Sequence, residues 1–155
     1  SAVSYSEKEI FILTYPYGNE LSFTGNIFRE AATLLGSCPN PPINTSAEQA
    51  TPLALINNEI TWTQSYCYSG SNWYRVKMSA GNVFDIDLNF THHPTGNLDL
   101  RIYTDPEAPA LATSATLNSG EALSWTAPSA GTLYIRVSTD QGGFVPEYQL
   151  RVVKY

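Results

Sequence analysis

Between Trp73 and Val152, five segments alternate apolar and polar residues with a period of two. They read Trp73-Tyr74-Arg75-Val76-Lys77-Met78, Val83-Phe84-Asp85-Ile86-Asp87-Leu88-Asn89-Phe90, Leu98-Asp99-Leu100-Arg101-Ile102-Tyr103, Thr132-Leu133-Tyr134-Ile135-Arg136-Val137 and Tyr148-Gln149-Leu150-Arg151-Val152. Side chains along a strand point alternately to its two faces, whereas a helix needs apolar residues three or four apart. This text can therefore bury one continuous face only as strands. Turn-forming clusters at Ser79-Ala80-Gly81-Asn82, His92-His93-Pro94-Thr95-Gly96-Asn97, Ser119-Gly120-Glu121 and Pro128-Ser129-Ala130-Gly131 separate the segments. The pattern predicts an all-β protein, an antiparallel β-sandwich of jelly-roll type.

A chain of 155 residues can bury one sizeable core and is short for two domains. Hydrophobic content of 43% is enough to fold, while charged residues make up only 14%. That leaves a surface of Ser, Thr, Asn and Tyr, as expected of a secreted β-protein. The net charge of -6 and the missing basic run argue against a phosphate backbone as partner, so nucleic acid is set aside. No apolar run approaches the roughly 18–20 residues that span a bilayer, so no membrane span is expected. Ser1 opens without a basic flank and apolar block, so the chain reads as a mature or excised fragment or as one without a signal peptide. Cys38 and Cys67 each lie beside turn formers. A disulfide between them is expected, worth roughly 3–4 kcal/mol through loop closure and implying an oxidising compartment. Two free thiols are the alternative. Neither cysteine has a second Cys or a His at ligand spacing, so no metal and no cofactor is expected.

Residues 1–37 differ from the rest and read as an N-terminal extension or the remnant of an upstream domain; the sandwich spans residues 38–155. Glu9-Ile10-Phe11-Ile12-Leu13-Thr14 predicts a strand, and Asn26 to Leu35 a short helix with Asn26 as N-cap and Gly36 after its end. Residues 38–47, with three prolines, predict a linker or entry loop. Residues 48–56 predict a short helix followed by a strand, and Ile60-Thr61-Trp62-Thr63-Gln64 a strand.

No constellation carries chemistry. His92 and His93 precede Pro94 in a turn, and the Gly-x-Ser-x-Gly text of a nucleophile elbow does not occur. Asp85 and Asp87 share a strand face; a glycosidase pair is weighed against carboxylates that are solvated, or paired across strands with Arg75, Arg101 or Arg136, and the second reading is preferred. No catalytic residue is assigned and no enzyme is expected. The aromatics are the better lead. Alternation places Tyr74, Val76 and Met78 inward with Phe84, Ile86, Leu88 and Phe90. It places Trp73, Arg75, Lys77, Asp99, Arg101, Tyr103, Tyr134 and Arg136 outward. Tyr66 and Tyr68, around Cys67, add two rings. The expected ligand-binding set is Trp73, Arg75, Arg101, Tyr103, Tyr134, Arg136, Tyr66 and Tyr68: exposed rings stack on sugars or proline-rich chains, and arginines orient them by hydrogen bonds. Trp62 and Trp125 are expected to pack in the core or at an edge.

Six short motifs in order carry a resemblance: Asn72-Trp73-Tyr74-Arg75-Val76, Ala80-Gly81, Leu88-Asn89-Phe90-Thr91-His92, Gly96 to Tyr103, Ala130 to Val137 and Tyr148-Gln149-Leu150. With Asn44-Thr45-Ser46-Ala47 through Leu53 as the start, residues 38–155 resemble the bacterial pre-peptidase C-terminal domain, a module at the end of many secreted proteases that is related to the collagen-binding domains of bacterial collagenases. The resemblance implies a secreted, non-catalytic accessory module, a monomer beside a parent catalytic domain. Such a module binds a polymeric substrate (polysaccharide or fibrous protein) or a cell surface. The alternative it leaves open is a secretion- or maturation-assisting domain that packs on its own catalytic domain and has no external ligand. Collagen-binding relatives hold calcium with acidic segments that correspond here to Pro42-Ile43-Asn44-Thr45 and Ser69-Gly70-Ser71-Asn72, where the carboxylates are missing. A Cys38–Cys67 disulfide would tie the same segments together, and the expectation is that it replaces the metal as their clamp.

Overall fold

The computed structural model describes residues 3–4, 10–14, 20–24, 43–68, 70–91, 96–139 and 143–155, with backbone only for residues up to 24 and for 67, 68, 143, 144 and 146. The chain divides into two compact units, Ser1–Pro39 and Asn40–Tyr155. In the first, β1 (Val3–Ser4), β2 (Ile10–Thr14) and β3 (Glu20–Thr24) form an antiparallel sheet in the order β1-β2-β3. The strand expected near residue 10 is present. The helix expected over residues 26–35, Cys38, and the two histidines lie outside the described residues, as does the side chain of Cys67.

Among its described residues the second unit holds nine strands: β4 (Thr51–Pro52), β5 (Glu59–Tyr68), β6 (Ser71–Met78), β7 (Val83–Phe90), β8 (Asp99–Tyr103), β9 (Ala112–Ser114), β10 (Gly120–Thr126), β11 (Gly131–Ser138) and β12 (Gly143–Lys154). They build a four-stranded sheet, β10-β7-β12-β5, and a five-stranded sheet, β4-β6-β11-β8-β9. All pairings are antiparallel except β4 with β6. The inward residues of both sheets form one core: Phe84, Ile86, Leu88, Leu150 and Val152 from one side, Tyr74, Val76, Leu100, Ile102, Leu133, Ile135 and Val137 from the other. Every residue that alternation placed inward is buried. Trp62 and Trp125 pack against this core while partly exposed, as expected.

Three segments differ from the sequence expectation. No helix occupies residues 48–56. Pro52 keeps Thr51 extended, and the two residues form β4 against β6. Asn57 and Asn58 then take positive φ (51° and 66°) between bridged Ile56 and Glu59, a two-residue turn that asparagine tolerates. Gly120 and Glu121 begin strand β10 rather than a turn. Its text hides the strand because Glu121, a charged residue, occupies an inward position. The carboxylate is satisfied there: Thr116 donates to Oε1 from its N (2.8 Å) and its Oγ1 (2.7 Å), and Ser114 Oγ donates to Oε2. Third, β5 runs on to Tyr68, so Tyr66 is an inward residue, only 1% exposed, and no exposed loop ring.

Candidate functional site on the outer face of the five-stranded sheet

The register of β6, β11 and β8 arranges their outward residues in rows. Trp73 faces Arg136, which faces Arg101; Arg75 faces Tyr134, which faces Tyr103; Lys77 faces Thr132. Four of the chain's eight Lys and Arg residues, Arg75, Lys77, Arg101 and Arg136, thus share one face. The sequence-derived set Trp73, Arg75, Arg101, Tyr103, Tyr134 and Arg136 is brought together. Tyr66 is not, and the Tyr68 side chain lies outside the described residues.

The rings are not a stacking platform. Trp73 and Tyr103 are buried, at 9% and 6% exposure, with centroids 5.4 Å apart and planes tilted by 40°. Ala47, Ala50 and Ala110, from the segments flanking the sheet, pack on them together with Tyr134. Alternation gives the face of a residue but not what loops later lay over it. The arginines are likewise held. Arg136 lies 5.6 Å above the Trp73 ring and donates from Nε to Ser71 Oγ at 2.6 Å. Arg101 donates from Nη1 to Ser138 Oγ at 2.8 Å and pairs with buried Asp99 at 3.3 Å. Arg75 and Lys77 are exposed and have no ion pair among the described residues.

Two shallow depressions of about 300 Å³ flank this row. One lies over Ser71, Trp73 and Arg136, with Glu48 and Glu107 at its rim. A hydrogen bond from Ser46 holds the Glu48 carboxyl below the usual range. The other is lined by Pro52, Leu53, Arg75, Val76, Lys77 and Tyr134 and has no carboxylate among the described residues. Asp85 and Asp87 lie on the other sheet. Asp87 and Glu59 flank Arg151 there, at 3.2 Å and 2.7 Å, so the cross-strand partner of Asp87 is Arg151 and not an arginine of the five-stranded sheet.

Beneath the Trp73 end runs a relay of neutral hydrogen bonds that sequence reasoning missed. Asn72 Nδ2 donates to Tyr148 Oη (2.7 Å), Tyr148 to Tyr74 Oη, Tyr74 to Gln64 Oε1 (2.9 Å), Gln64 Nε2 to Asn44 Oδ1 (3.0 Å), and Asn44 Nδ2 to the Trp73 carbonyl (2.9 Å). It crosses between the sheets three times and ties residues 43–45 to residues 70–73, the segments that the resemblance aligns with calcium ligands. Those segments supply two committed amides and no carboxylate. They do not fit a calcium ion, which needs several oxygen ligands, usually charged ones. No group of three metal-ligating side chains occurs among the described residues, and no helix there is long and apolar enough to cross a membrane.

No curated protein matches this chain. Among solved structures, PliG of Aeromonas hydrophila, a periplasmic inhibitor of g-type lysozyme, superposes with a TM-score of 0.55 at 14% identity, covering 68% of this chain and 96% of its own. The pre-peptidase C-terminal domain of a Bacillus anthracis collagenase gives 0.53 at 17% identity, over 66% of this chain and 93% of its own. PliG of Salmonella Typhimurium gives 0.51 at 8% identity, over 68% and 97%. These likenesses are of fold. Residues 70–139 match the model of the family described as the bacterial pre-peptidase C-terminal domain, so the resemblance carried by the strand texts is borne out.

Proposed function

We propose that this chain is a non-catalytic accessory module of a secreted bacterial hydrolase, most simply a protease, attaching to a polymeric substrate or a cell surface by the outer face of its five-stranded sheet. The observation that carries this reading is the gathering of Arg75, Lys77, Arg136 and Tyr134 on one rigid face of a chain whose net charge is -6. A sheet face held by register and packing presents these groups without an ordering cost, which favours binding. The matched family supports an accessory role beside a catalytic domain. A collagenase domain and two proteins described as lysozyme inhibitors share the fold, which supports work by binding. The jelly-roll reading is supported by the strand order, in which consecutive strands from β4 to β8 alternate between the two sheets.

The test is retention of the purified protein on insoluble collagen, chitin, cellulose and peptidoglycan, beside an Arg75→Ala/Tyr134→Ala variant. Trp73→Ala is unsuitable because it empties a buried site, at a cost of about 3–5 kcal/mol. Retention on one polymer, lost in the variant, supports the reading. Retention on none overturns it in favour of a secretion-assisting domain that packs on its own catalytic partner.

A further inference from the structure

The five-stranded sheet has an unfinished edge. Strand β4 pairs with β6 over two residues only, and the last bond of that ladder runs from Leu53 N to Arg75 O at 2.8 Å. The Trp73 N–H also points to this side, to the Asn44 carbonyl at 2.8 Å. Backbone groups two residues apart on a strand point the same way, so the N–H and C=O of Lys77 point to this edge too. Neither has a backbone partner there among the described residues. Immediately beside them is the depression, with Pro52 and Tyr134 among its lining and Arg75 and Lys77 as its cations. The two cations lie two residues apart on one strand, about 6.8 Å. Alternate side chains of any extended peptide repeat at the same distance.

We propose that this edge takes up an extended acidic peptide, which continues the row begun by β4 beside Lys77, bonds through its backbone to Lys77 and brings its carboxylates within reach of the outward Arg75 and Lys77 side chains. Charge complementarity selects this occupant: among the described residues neither cation has an ion pair, and no acidic group lines the depression. A sheet edge selects a backbone that offers N–H and C=O groups, which a polysaccharide lacks. The inference rests on the reading of the domain as an attachment module and names the chemistry of one thing it attaches.

The test is a titration of the full chain, followed by amide resonances, with acetyl-Glu-Val-Glu-Val-Glu-amide, with the same peptide N-methylated at its central residues, and with trigalacturonate. The expected result is saturable movement of the Lys77, Leu53 and Thr132 amides with the first peptide alone. Arg75→Gln should weaken it about tenfold, and 1 M salt should weaken it further through screening. Lys77→Pro removes an N–H that no β-ladder uses, so the fold survives and binding is lost. Equal binding of the N-methylated peptide would overturn the edge pairing without relying on any variant. Equal binding of trigalacturonate would overturn the peptide as occupant, and no saturable movement would overturn the proposal. If wild type is retained on a polymer while the peptide fails to bind it, the edge proposal fails and the attachment reading stands.

Discussion

Asn44 and Trp73 exchange two hydrogen bonds across 29 residues of chain: the Trp73 N–H donates to the Asn44 carbonyl at 2.8 Å, and Asn44 Nδ2 donates to the Trp73 carbonyl at 2.9 Å. Asn44 is 1% exposed, so these bonds are made out of reach of water. The pair fastens the segment leading into the sandwich to the strand that carries the candidate site.

Asn44→Ala leaves Gln64 Nε2 without its partner and removes the side-chain bond to the Trp73 carbonyl, and should destabilise by about 1–3 kcal/mol. Asn44→Asp should cost more, because a buried carboxylate then faces the Trp73 carbonyl. Urea unfolding of the two variants checks both the size and the order.

Alkali should loosen the relay. Burial pushes the Tyr74 hydroxyl up to about 12, and burial, then the charge of Tyr74, holds Tyr148 well above its ordinary value. In the unfolded chain both ionise near 10. The folded state therefore keeps protons that the unfolded state has lost. Their contribution to stability is whole below about pH 10 and falls as pH rises toward about 12. Melting temperatures followed across this window should drop in wild type and drop less steeply in Tyr74→Phe/Tyr148→Phe, which is also less stable at neutral pH by about 1 kcal/mol per lost hydroxyl.

Glu121 accepts three hydrogen bonds at the turn between β9 and β10 while only 4% exposed. Glu121→Ala should cost about 3 kcal/mol, since it orphans donors that served a charged acceptor. Glu121→Gln keeps one carbonyl toward Thr116 and should cost about 1 kcal/mol. Equal losses in the two variants, read by equilibrium unfolding, would show that the side chain acts by packing instead.

The guanidinium of Arg136 covers Trp73. Arg136→Ala should uncover the indole, shift its N–H resonance and raise its quenching by acrylamide, with a stability loss of about 0.5–1 kcal/mol. An unchanged indole signal would sink the assignment of Arg136 as the cover.

What could be read from the residues depended on how local the physics is. The inward alternation of Phe84, Ile86 and Leu88, or of Leu133, Ile135 and Val137, is a property of one strand and survives into the fold unchanged. The same holds for the turn at residues 79–82, where Gly81 takes φ +84° and Asn82 Oδ1 accepts from Ser79 N at 2.7 Å. The three-residue edge strand β9 and the Glu121-bearing β10 escaped because β9 is short and small-residued, and the first inward position of β10 holds a carboxylate whose partners, Ser114 and Thr116, lie outside that strand.

Sequence alone therefore determined the class of fold, the family resemblance and the face on which Trp73, Arg75, Tyr134 and Arg136 stand, since a period of two needs no knowledge of neighbours. Tertiary structure decided which of those residues water can reach. Segments distant in sequence cover Trp73 and Tyr103, Tyr66 turns into the core, and a two-residue β4 leaves the Lys77 backbone without a partner on that side among the described residues. Burial depends on which remote atoms arrive at a surface, and no periodicity along one strand encodes their arrival.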